Sequence, residues 1–432
     1  MTLTFTQIIP ILLVFLLYFA GLPIVYALFG STFFYFLVLD PSTQCWLLLQ
    51  KVMNATQSFS MLAIPFFIMS GSVMNFGGIS DKMMDFCECV TGHMRGGLAQ
   101  VNVLLSMLMG GCSGSANADC AMQSKMLVPE MEKRGYSKAF SAAITAASSA
   151  ATPVIPPGVN LIVYCLIAQA SLGRTFAAGY VPGIIWALAC AVVGVILAKK
   201  LGYKGTPGKF DWKNLGVCTL RALPSLSLII VVIGGIVGGV FSATEGSAIA
   251  VVYALILAFC YRSINLKSLW KIIVDSAKMS GMVVFLVGVS NILGWVMAFL
   301  QIPDAVAALL LGLTNNKYII LLIMNVILLV SGTFMDVTPA ILIFTPLFLP
   351  ICQSFGMSTI HFGMILVYNL CIGNITPPVG NALFVGIKVG RTSLEKILPY
   401  MLMYYVAIIG GLLLVTYIPA VSMALPQLTG LV

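Results

Sequence analysis

Prolines and small polar residues interrupt long apolar stretches of this chain, and these interruptions restrict the possible folds more than any other sequence feature. In residues 110–160, the polar stretch 113–119 and the proline-containing break 152–157 both lie inside apolar sequence. In a membrane, the backbone leaves helical geometry only where protein or a water-lined cavity satisfies its hydrogen bonds. We therefore predict that residues 110–160 contribute to a binding site within the membrane.

Composition indicates a polytopic membrane protein. Hydrophobic residues make up 60% of the 432 residues and charged residues 8%, whereas soluble proteins contain about 25% charged residues. The net charge of +9 comes mostly from cations at the ends of apolar segments. This pattern is typical of a cytoplasmic membrane face, and without a basic stripe bearing aromatic residues we expect no nucleic-acid partner.

The cysteines, the histidines and the N-terminal segment are all consistent with a membrane protein without a metal centre. The eleven cysteines are scattered, so we interpret them as small buried hydrophobic residues. The solitary His93 and His361 do not predict a metal or catalytic centre. The N-terminal apolar run has no basic region or cleavage site, and we expect it to be retained as the first membrane helix.

Apolar stretches long enough to cross a bilayer, about 20 residues each, divide the chain into helices. In the first half we predict two helices within residues 4–40 that turn at residues 21–23, spans at 59–77, 136–172 (broken at 152–157) and 174–198, interfacial helices at 43–58 and 79–91, and a re-entrant hairpin at 97–131. In the second half we predict spans at 225–241, 244–261, 280–300, 358–389 (broken at 374–381) and 395–419, interfacial helices at 264–278 and 302–315, and a hairpin at 318–352.

The two halves carry matching residues, which indicates an internal duplication. At a constant offset of 223 the second half repeats Gly71, Val73, Met74, Ile79 and Asp81 as Gly294, Val296, Met297, Ile302 and Asp304. At an offset of 221 it repeats Pro156, Pro157 and Asn160 as Pro377, Pro378 and Asn381. Ser113-Gly114 recurs as Ser331-Gly332, at an offset of 218. We therefore predict an all-α polytopic membrane protein with two inverted-topology repeats, each of about five transmembrane helices and one re-entrant hairpin, as in secondary transporters.

We expect each repeat to comprise a scaffold, an arm helix and a transport part that contains the hairpin and the broken helix. These parts are 1–78, 79–95 and 96–200 in the first repeat, and 217–300, 301–316 and 317–432 in the second, with a linker at 201–216. Residues 199–221 carry six cations against Asp211, so we place this connection in the cytoplasm and both termini in the periplasm.

The two breaks and hairpin tips have the chemistry of sodium sites. Proline frees backbone carbonyl oxygens, hydroxyl side chains add ligands, and glycine lets two backbone segments approach closely. The predicted first Na⁺ site comprises Ser113, Ser115, Asn117, Ser148, Ser149 and Thr152. The predicted second site comprises Gly332, Thr333, Asp336, Thr338, Gly373 and Thr376, with Asn374 as a further candidate. Asp119 and Asp336 either support a cation or cap a helix N-terminus.

An anionic substrate could lie between these sites, because half-helix N-termini attract anions. We predict substrate contacts at Asn160, Asn381, Pro156, Pro377 and Gly114. The alternative for the two asparagines is that their amides only satisfy carbonyls freed by the prolines.

Several long strings resemble the large membrane subunit of tripartite ATP-independent periplasmic (TRAP) transporters over essentially the whole chain. They are residues 111–119, 132–136, 146–149, 155–157 and 372–380. Cys112 and Asn374 stand where an apolar residue is common in the family. The resemblance implies an elevator-type, Na⁺-coupled symporter of an organic acid in the bacterial inner membrane. It further implies two partners, a small four-helix membrane subunit and a periplasmic substrate-binding protein.

Other functions remain open at this point. A stand-alone sodium–dicarboxylate or citrate symporter of similar architecture would need no binding protein, and a passive channel would need no sodium. We do not expect an enzyme, because no base lies at a matching spacing from an intramembrane Ser or Asp. We expect no cofactor other than Na⁺ as coupling ion. The substrate remains open among dicarboxylates, sialic acid and sugar acids.

Overall fold

The computed structural model describes residues 5–41, 46–111, 113–203, 205, 212–314 and 316–430. Within these residues all regular secondary structure is helical. Eight helical segments are long and apolar enough to cross a membrane, judged by length and composition. This confirms the prediction of an all-α polytopic membrane protein. Cys112, Lys204, Lys209 and Asp211, which the sequence analysis singled out, lie outside the described residues.

The described residues of the first half form ten α-helices. They are α1 (Phe5–Phe19), α2 (Ile24–Phe34), α3 (Trp46–Thr56), α4 (Ala63–Phe76), α5 (Ile79–Thr91), α6 (Gly97–Gly110), α7 (Ala116–Lys133), α8 (Lys138–Ser149), α9 (Val159–Ala168) and α10 (Leu172–Lys200). A π-helical segment, Tyr35–Leu39, extends α2, and a 3₁₀ turn, Phe59–Leu62, precedes α4.

Ten further α-helices lie in the part of the second half that the structure describes. They are α11 (Trp212–Val237), α12 (Ala243–Cys260), α13 (Leu266–Phe299), α14 (Ile302–Leu313), α15 (Lys317–Phe334), α16 (Val337–Ser354), α17 (Thr359–Gly373), α18 (Asn381–Val389), α19 (Leu394–Tyr417) and α20 (Pro419–Leu428). Below, hairpin 1 is α6–α7 and hairpin 2 is α15–α16. Break 1 is residues 150–158, between α8 and α9, and break 2 is residues 374–380, between α17 and α18.

Both predicted hairpins and both predicted helix breaks are present. The helix after the tip of hairpin 1 begins at Ala116, inside the polar stretch 113–119. Ser115 accounts for this start, because its hydroxyl oxygen accepts a hydrogen bond from the Ala118 N–H at 3.4 Å and caps α7.

In the second half two predicted boundaries are wrong, and one short helix was not predicted. The interfacial helix at 264–278 and the span at 280–300 are one continuous helix, α13, because no proline separates them and the single Gly281 costs only about 1 kcal/mol. The span predicted from residue 225 begins at Trp212, so Lys213 and Arg221 lie on α11. The short α20 was not predicted, because Pro419 at its start was taken as the end of helical sequence.

The cysteine interpretation holds in part. Cys87, Cys120, Cys165, Cys190, Cys352 and Cys371 are buried, as predicted. Cys260 is exposed at the end of α12. Cys89 on α5 and Cys218 on α11 are half-buried and lie side by side, with their Cα atoms 6.8 Å apart.

The hairpins and broken helices of the two halves pack into one group. Hairpin 1 and α8 contact α18 of the second half, and α9 of the first half contacts α16 of hairpin 2. α10 packs against α17, α19 and α20. On the outside, α4 contacts α12 and α13, and α5 contacts α11. The outer helices meet the central group where α5 contacts α6, where α13 and α14 contact α16, and where α4 contacts α9.

Buried polar contacts attach each hairpin to its broken helix at matching positions. In the first half the Ser148 hydroxyl donates to Oδ1 of Asn102 at 3.0 Å. In the second half Nδ2 of Asn369 donates to Oδ1 of Asn325 at 2.8 Å. In the hairpins, Asn325 lies 223 positions after Asn102. In the broken helices, Asn369 lies 221 positions after Ser148. These bonds satisfy polar groups that would otherwise be costly inside the protein.

Candidate functional site

The tip of hairpin 1 touches the backbone of break 1. Gly114 has φ +58°, and a Cβ atom there would lie 2.9 Å from both Cα of Gly158 and the backbone nitrogen of Val159. Only glycine accommodates both the conformation and the spacing. The predicted close approach of hairpin and broken helix is therefore confirmed in the first half.

Hairpin 2 and break 2 approach each other in the same way. A Cβ on Gly373 would lie 2.4 Å from the carbonyl carbon of Gly332. The Thr333 carbonyl oxygen accepts hydrogen bonds from the backbone N–H of Val379 at 3.2 Å and of Gly380 at 3.3 Å. The hairpin tip thus satisfies backbone donors that the break leaves free.

Asp119 is a buried carboxylate beside the tip of hairpin 1. It is fully buried, and its Oδ1 accepts a hydrogen bond from the Ser113 hydroxyl at 2.6 Å. Its Oδ2 has no hydrogen-bond partner among the described residues. Ser115, not Asp119, caps α7. An unpartnered anionic oxygen in a buried position is costly unless a cation or a proton compensates it.

The three hydroxyl groups that were predicted as ion ligands in the first broken helix are buried and hydrogen-bonded. Ser148 bonds to Asn102 as described above, Ser149 donates to the Thr145 carbonyl at 2.6 Å, and Thr152 donates to the Ser149 carbonyl at 2.7 Å. Each hydroxyl oxygen retains lone pairs after donating its hydrogen. The same holds in the second half for Thr376, which donates to the Ile372 carbonyl at 2.7 Å.

A cavity of about 230 Å³ lies where the two hairpin tips meet the breaks. The predicted site residues that line it are Ser113, Gly114, Ser115, Asn117, Asn160, Asp336, Thr338 and Asn374. The remaining predicted residues lie outside its lining: Ser148, Ser149, Thr152, Pro156, Gly332, Thr333, Gly373, Thr376, Pro377 and Asn381.

One wall of the cavity was missed by sequence reasoning. Ser72 and Asn75 on α4 and Met279 and Val283 on α13 also line it. The Oδ1 atom of Asn75 is buried without a hydrogen-bond partner among the described residues. The sequence predicts a plain span for α4 and an interfacial helix followed by a span for α13, and neither pattern shows that one face of the helix meets the hairpins. Asn75 lies within the stretch 71–81 but is not itself repeated, since the position 223 residues later is Ala298.

Two hydrogen bonds join the halves across the cavity. The Thr338 hydroxyl on α16 donates to Oδ1 of Asn160 on α9 at 2.7 Å. Nδ2 of Asn374 in break 2 donates to Oδ1 of Asn117 on α7 at 3.3 Å. The side-chain oxygen of Asn160 therefore accepts a hydrogen bond from the second half of the chain, and Asn160 also lines the cavity.

Asp336 brings a negative charge to this cavity. It occupies the N-cap position of α16, but its side chain makes no capping hydrogen bond. It has no ion-pair partner in the described part of the chain, and it is the one charged side chain among the described lining residues. Asp336 therefore occupies the helix-cap position of the alternative hypothesis without making the capping hydrogen bond.

Comparison with known proteins identifies relatives over nearly the whole chain. Residues 11–421 match the family described as "Tripartite ATP-independent periplasmic transporter, DctM component". The chain is 41% identical to the uncharacterized protein YgiK of Salmonella typhimurium, covering 98% of this chain and 99% of that one. It is 36% identical to the C4-dicarboxylate TRAP transporter large permease protein DctM of Pseudomonas aeruginosa, covering 88% and 89%.

A solved structure has a similar fold. The YdaH transporter of Alcanivorax borkumensis superposes with a TM-score of 0.61, covering 89% of this chain and 87% of that one at 14% identity. At this identity the likeness concerns the fold alone.

Proposed function

Because the chain belongs to the DctM family of tripartite ATP-independent periplasmic transporters, we propose that it imports an organic acid together with Na⁺. As a subunit of such a transporter it is a membrane carrier and not an enzyme. The acid is a C4-dicarboxylate, sialic acid or a sugar acid, delivered by a periplasmic binding protein. Substrate choice rests with that protein, so the residues of this chain leave the acid open.

The observation that carries the sodium coupling is the unpaired Asp336 carboxylate in the cavity. An anionic substrate in the same cavity would be repelled by this charge. Two like charges about 4 Å apart repel by roughly 4 kcal/mol at an effective dielectric constant near 20. A sodium ion bound beside Asp336 removes this repulsion, so substrate binding would require the ion.

We propose one ion site at each contact between a hairpin tip and a break. The first uses oxygens of Ser113, Ser115, Asn117, Ser148, Ser149 and Thr152, and we add Asp119. The second uses Gly332, Thr333, Asp336, Thr338, Gly373 and Thr376. The close glycine contacts at both places support this pairing, because they bring carbonyl and hydroxyl oxygens from two segments together.

The substrate would bind between these sites. The first turns of α7, α9 and α16 all begin at the cavity lining, and their free N–H groups favour an anion. Asn160 and Gly114 line the cavity and are proposed as direct contacts. Asn381, Pro156 and Pro377 lie outside it, and we propose that they shape the breaks that frame the substrate.

We further propose inverted repeats and an elevator motion, in which the hairpins and broken helices move against α4, α12 and α13. The matched bonds of Asn102 with Ser148 and of Asn325 with Asn369 support the repeat. The helices α5 and α14 would be the arms. Arg134 at the end of hairpin 1 contacts Glu88 on α5 at 2.7 Å, which would couple arm and hairpin.

The proposed setting is the bacterial inner membrane, with residues 199–221 cytoplasmic and both termini periplasmic. The partners proposed are a small four-helix membrane subunit and the periplasmic binding protein.

Uptake by proteoliposomes that contain this chain and its small subunit tests the proposal. We expect uptake of the organic acid only with both an inward sodium gradient and the binding protein. Uptake without the binding protein would indicate the alternative, a stand-alone sodium–dicarboxylate or citrate symporter. Flux that is independent of sodium would indicate a channel and would refute the proposal.

A further inference from the structure

A second cleft, of about 490 Å³, lies apart from the substrate cavity. Its polar lining comprises Ser124, Lys125, Glu132, Lys138, Lys388 and Arg391. The cleft is at the linker end of the molecule, because the N–H of Ser137, beside Lys138, donates to the hydroxyl of Tyr203 at 3.0 Å. Tyr203 follows α10, where the linker begins.

Four cations from three helices converge on this cleft. Lys125 is on α7, Lys138 begins α8, Lys388 is in the last turn of α18, and Arg391 follows that helix. Glu132 pairs with Lys138 at 3.0 Å. The other three cations have no ion-pair partner in the described part of the chain. Their mutual repulsion makes the cleft a favourable place for an anion with several oxygen atoms.

The preference for cations on a cytoplasmic membrane face does not explain Lys125. Cations at helix ends, such as Lys133, fit that rule, but Lys125 lies eight residues earlier, about 12 Å along α7. A cation this far into a membrane helix persists where water or an anion reaches it. Ser124 next to it is buried and places a hydroxyl in the same lining.

We propose that this cleft binds a phosphate group, either the headgroup of an anionic phospholipid or a soluble phosphorylated molecule. Lys125, Lys388 and Arg391 would contact its oxygens, and charge-assisted bonds of this kind are the strong ones. The ligand would tie α7 of the first half to α18 of the second. These helices already touch, since the Cys120 thiol donates to the Ala382 carbonyl at 3.2 Å. The proposal is independent of the substrate cavity and of sodium.

Thermal unfolding of the purified full chain in detergent tests the proposal with three probes: short-chain phosphatidylglycerol, short-chain phosphatidylcholine and inorganic phosphate. We expect a rise in unfolding temperature with phosphatidylglycerol and none with phosphatidylcholine, since a ligand that binds only the folded state stabilises it. Lys388→Gln and Arg391→Gly should each weaken the apparent affinity about fivefold, as expected for one cation at a lipid surface.

The Arg391→Gly variant distinguishes a loss of ligand binding from a loss of folding. Arg391 has φ +50°, a conformation that favours glycine, so this variant should fold at least as well as the parent. Lys396→Gln is the matched control, because Lys396 is an exposed cation near Arg391 that does not line the cleft.

Stabilisation by inorganic phosphate but not by phosphatidylglycerol would support a soluble phosphorylated ligand. Equal shifts with both lipids, no shift with any probe, or an equal loss in Lys396→Gln would overturn the proposal.

Discussion

At the scale of single residues, the Asp336 carboxylate offers the sharpest test of ion coupling. Asp336→Asn keeps the shape of the side chain and removes its charge, so we expect the sodium concentration for half-maximal uptake to rise at least tenfold. Sodium-dependent uptake in proteoliposomes measures this shift. Asp304→Asn is the control, because Asp304 is exposed in the first turn of α14 and lies outside the cavity. Unchanged sodium dependence of Asp336→Asn would contradict the second ion site.

The bond between Thr338 and Asn160 gives a second prediction. Thr338→Val removes the donor at 2.7 Å and leaves the Asn160 oxygen without it, which should lower stability by about 1 kcal/mol. Thermal unfolding of the purified chain measures the change. Thr219→Val is the matched control, because Thr219 donates only to the Leu215 carbonyl within α11. If the two substitutions lower stability equally, the hydrogen bond between the halves adds no more stability than a hydrogen bond within one helix.

Some residues that line the cavity could be predicted from the sequence, and others could not. Ser113, Asn117, Asp336 and Thr338 were predictable, because polar residues at helix breaks inside apolar sequence have few structural uses. Asn75 was not, since it comes to the cavity through the packing of α4 against the hairpin group, and no local pattern encodes that contact.

At the scale of helices, the contact of hairpin 2 with break 2 leaves no room for a side chain. Gly373→Ala would place a Cβ 2.4 Å from the Gly332 carbonyl carbon, so hairpin and broken helix would have to separate. We expect uptake to be lost and stability to fall by roughly 1–3 kcal/mol. Gly294→Ala on α13 is the control, since the nearest atom to its new Cβ is 3.8 Å away. Normal uptake by Gly373→Ala would show that the contact is dispensable.

Helix boundaries followed from sequence where a local breaker sets them. Both breaks contain the prolines from which they were predicted. The turn between α1 and α2 lies at Gly21–Pro23, as predicted. The error at α13 has the opposite cause. Lys271, Asp275 and Lys278 gave its first half an interfacial composition, but a long helix can leave the apolar region without bending. Composition alone does not distinguish these two cases.

At the scale of the whole molecule, the distribution of charge predicts its orientation. In the proposed topology only Lys51, Arg174 and Lys317 among the cations lie on the face opposite the linker, so the linker face should be cytoplasmic. Lys200→Cys should then react with a membrane-impermeant maleimide only after cells are opened. Gln353→Cys, exposed at the end of α16, should react in intact cells.

Both substitutions are made in a Cys260→Ser background, because Cys260 is exposed and would add its own label. Retained sodium-driven uptake in each variant shows that the protein is correctly inserted. Labelling of both positions in intact cells, or the reverse pattern, would refute the proposed orientation. Labelling of both positions in intact cells would also contradict inverted repeats, because that topology places residues 200 and 353 on opposite faces, whereas the reverse pattern would only invert the whole chain.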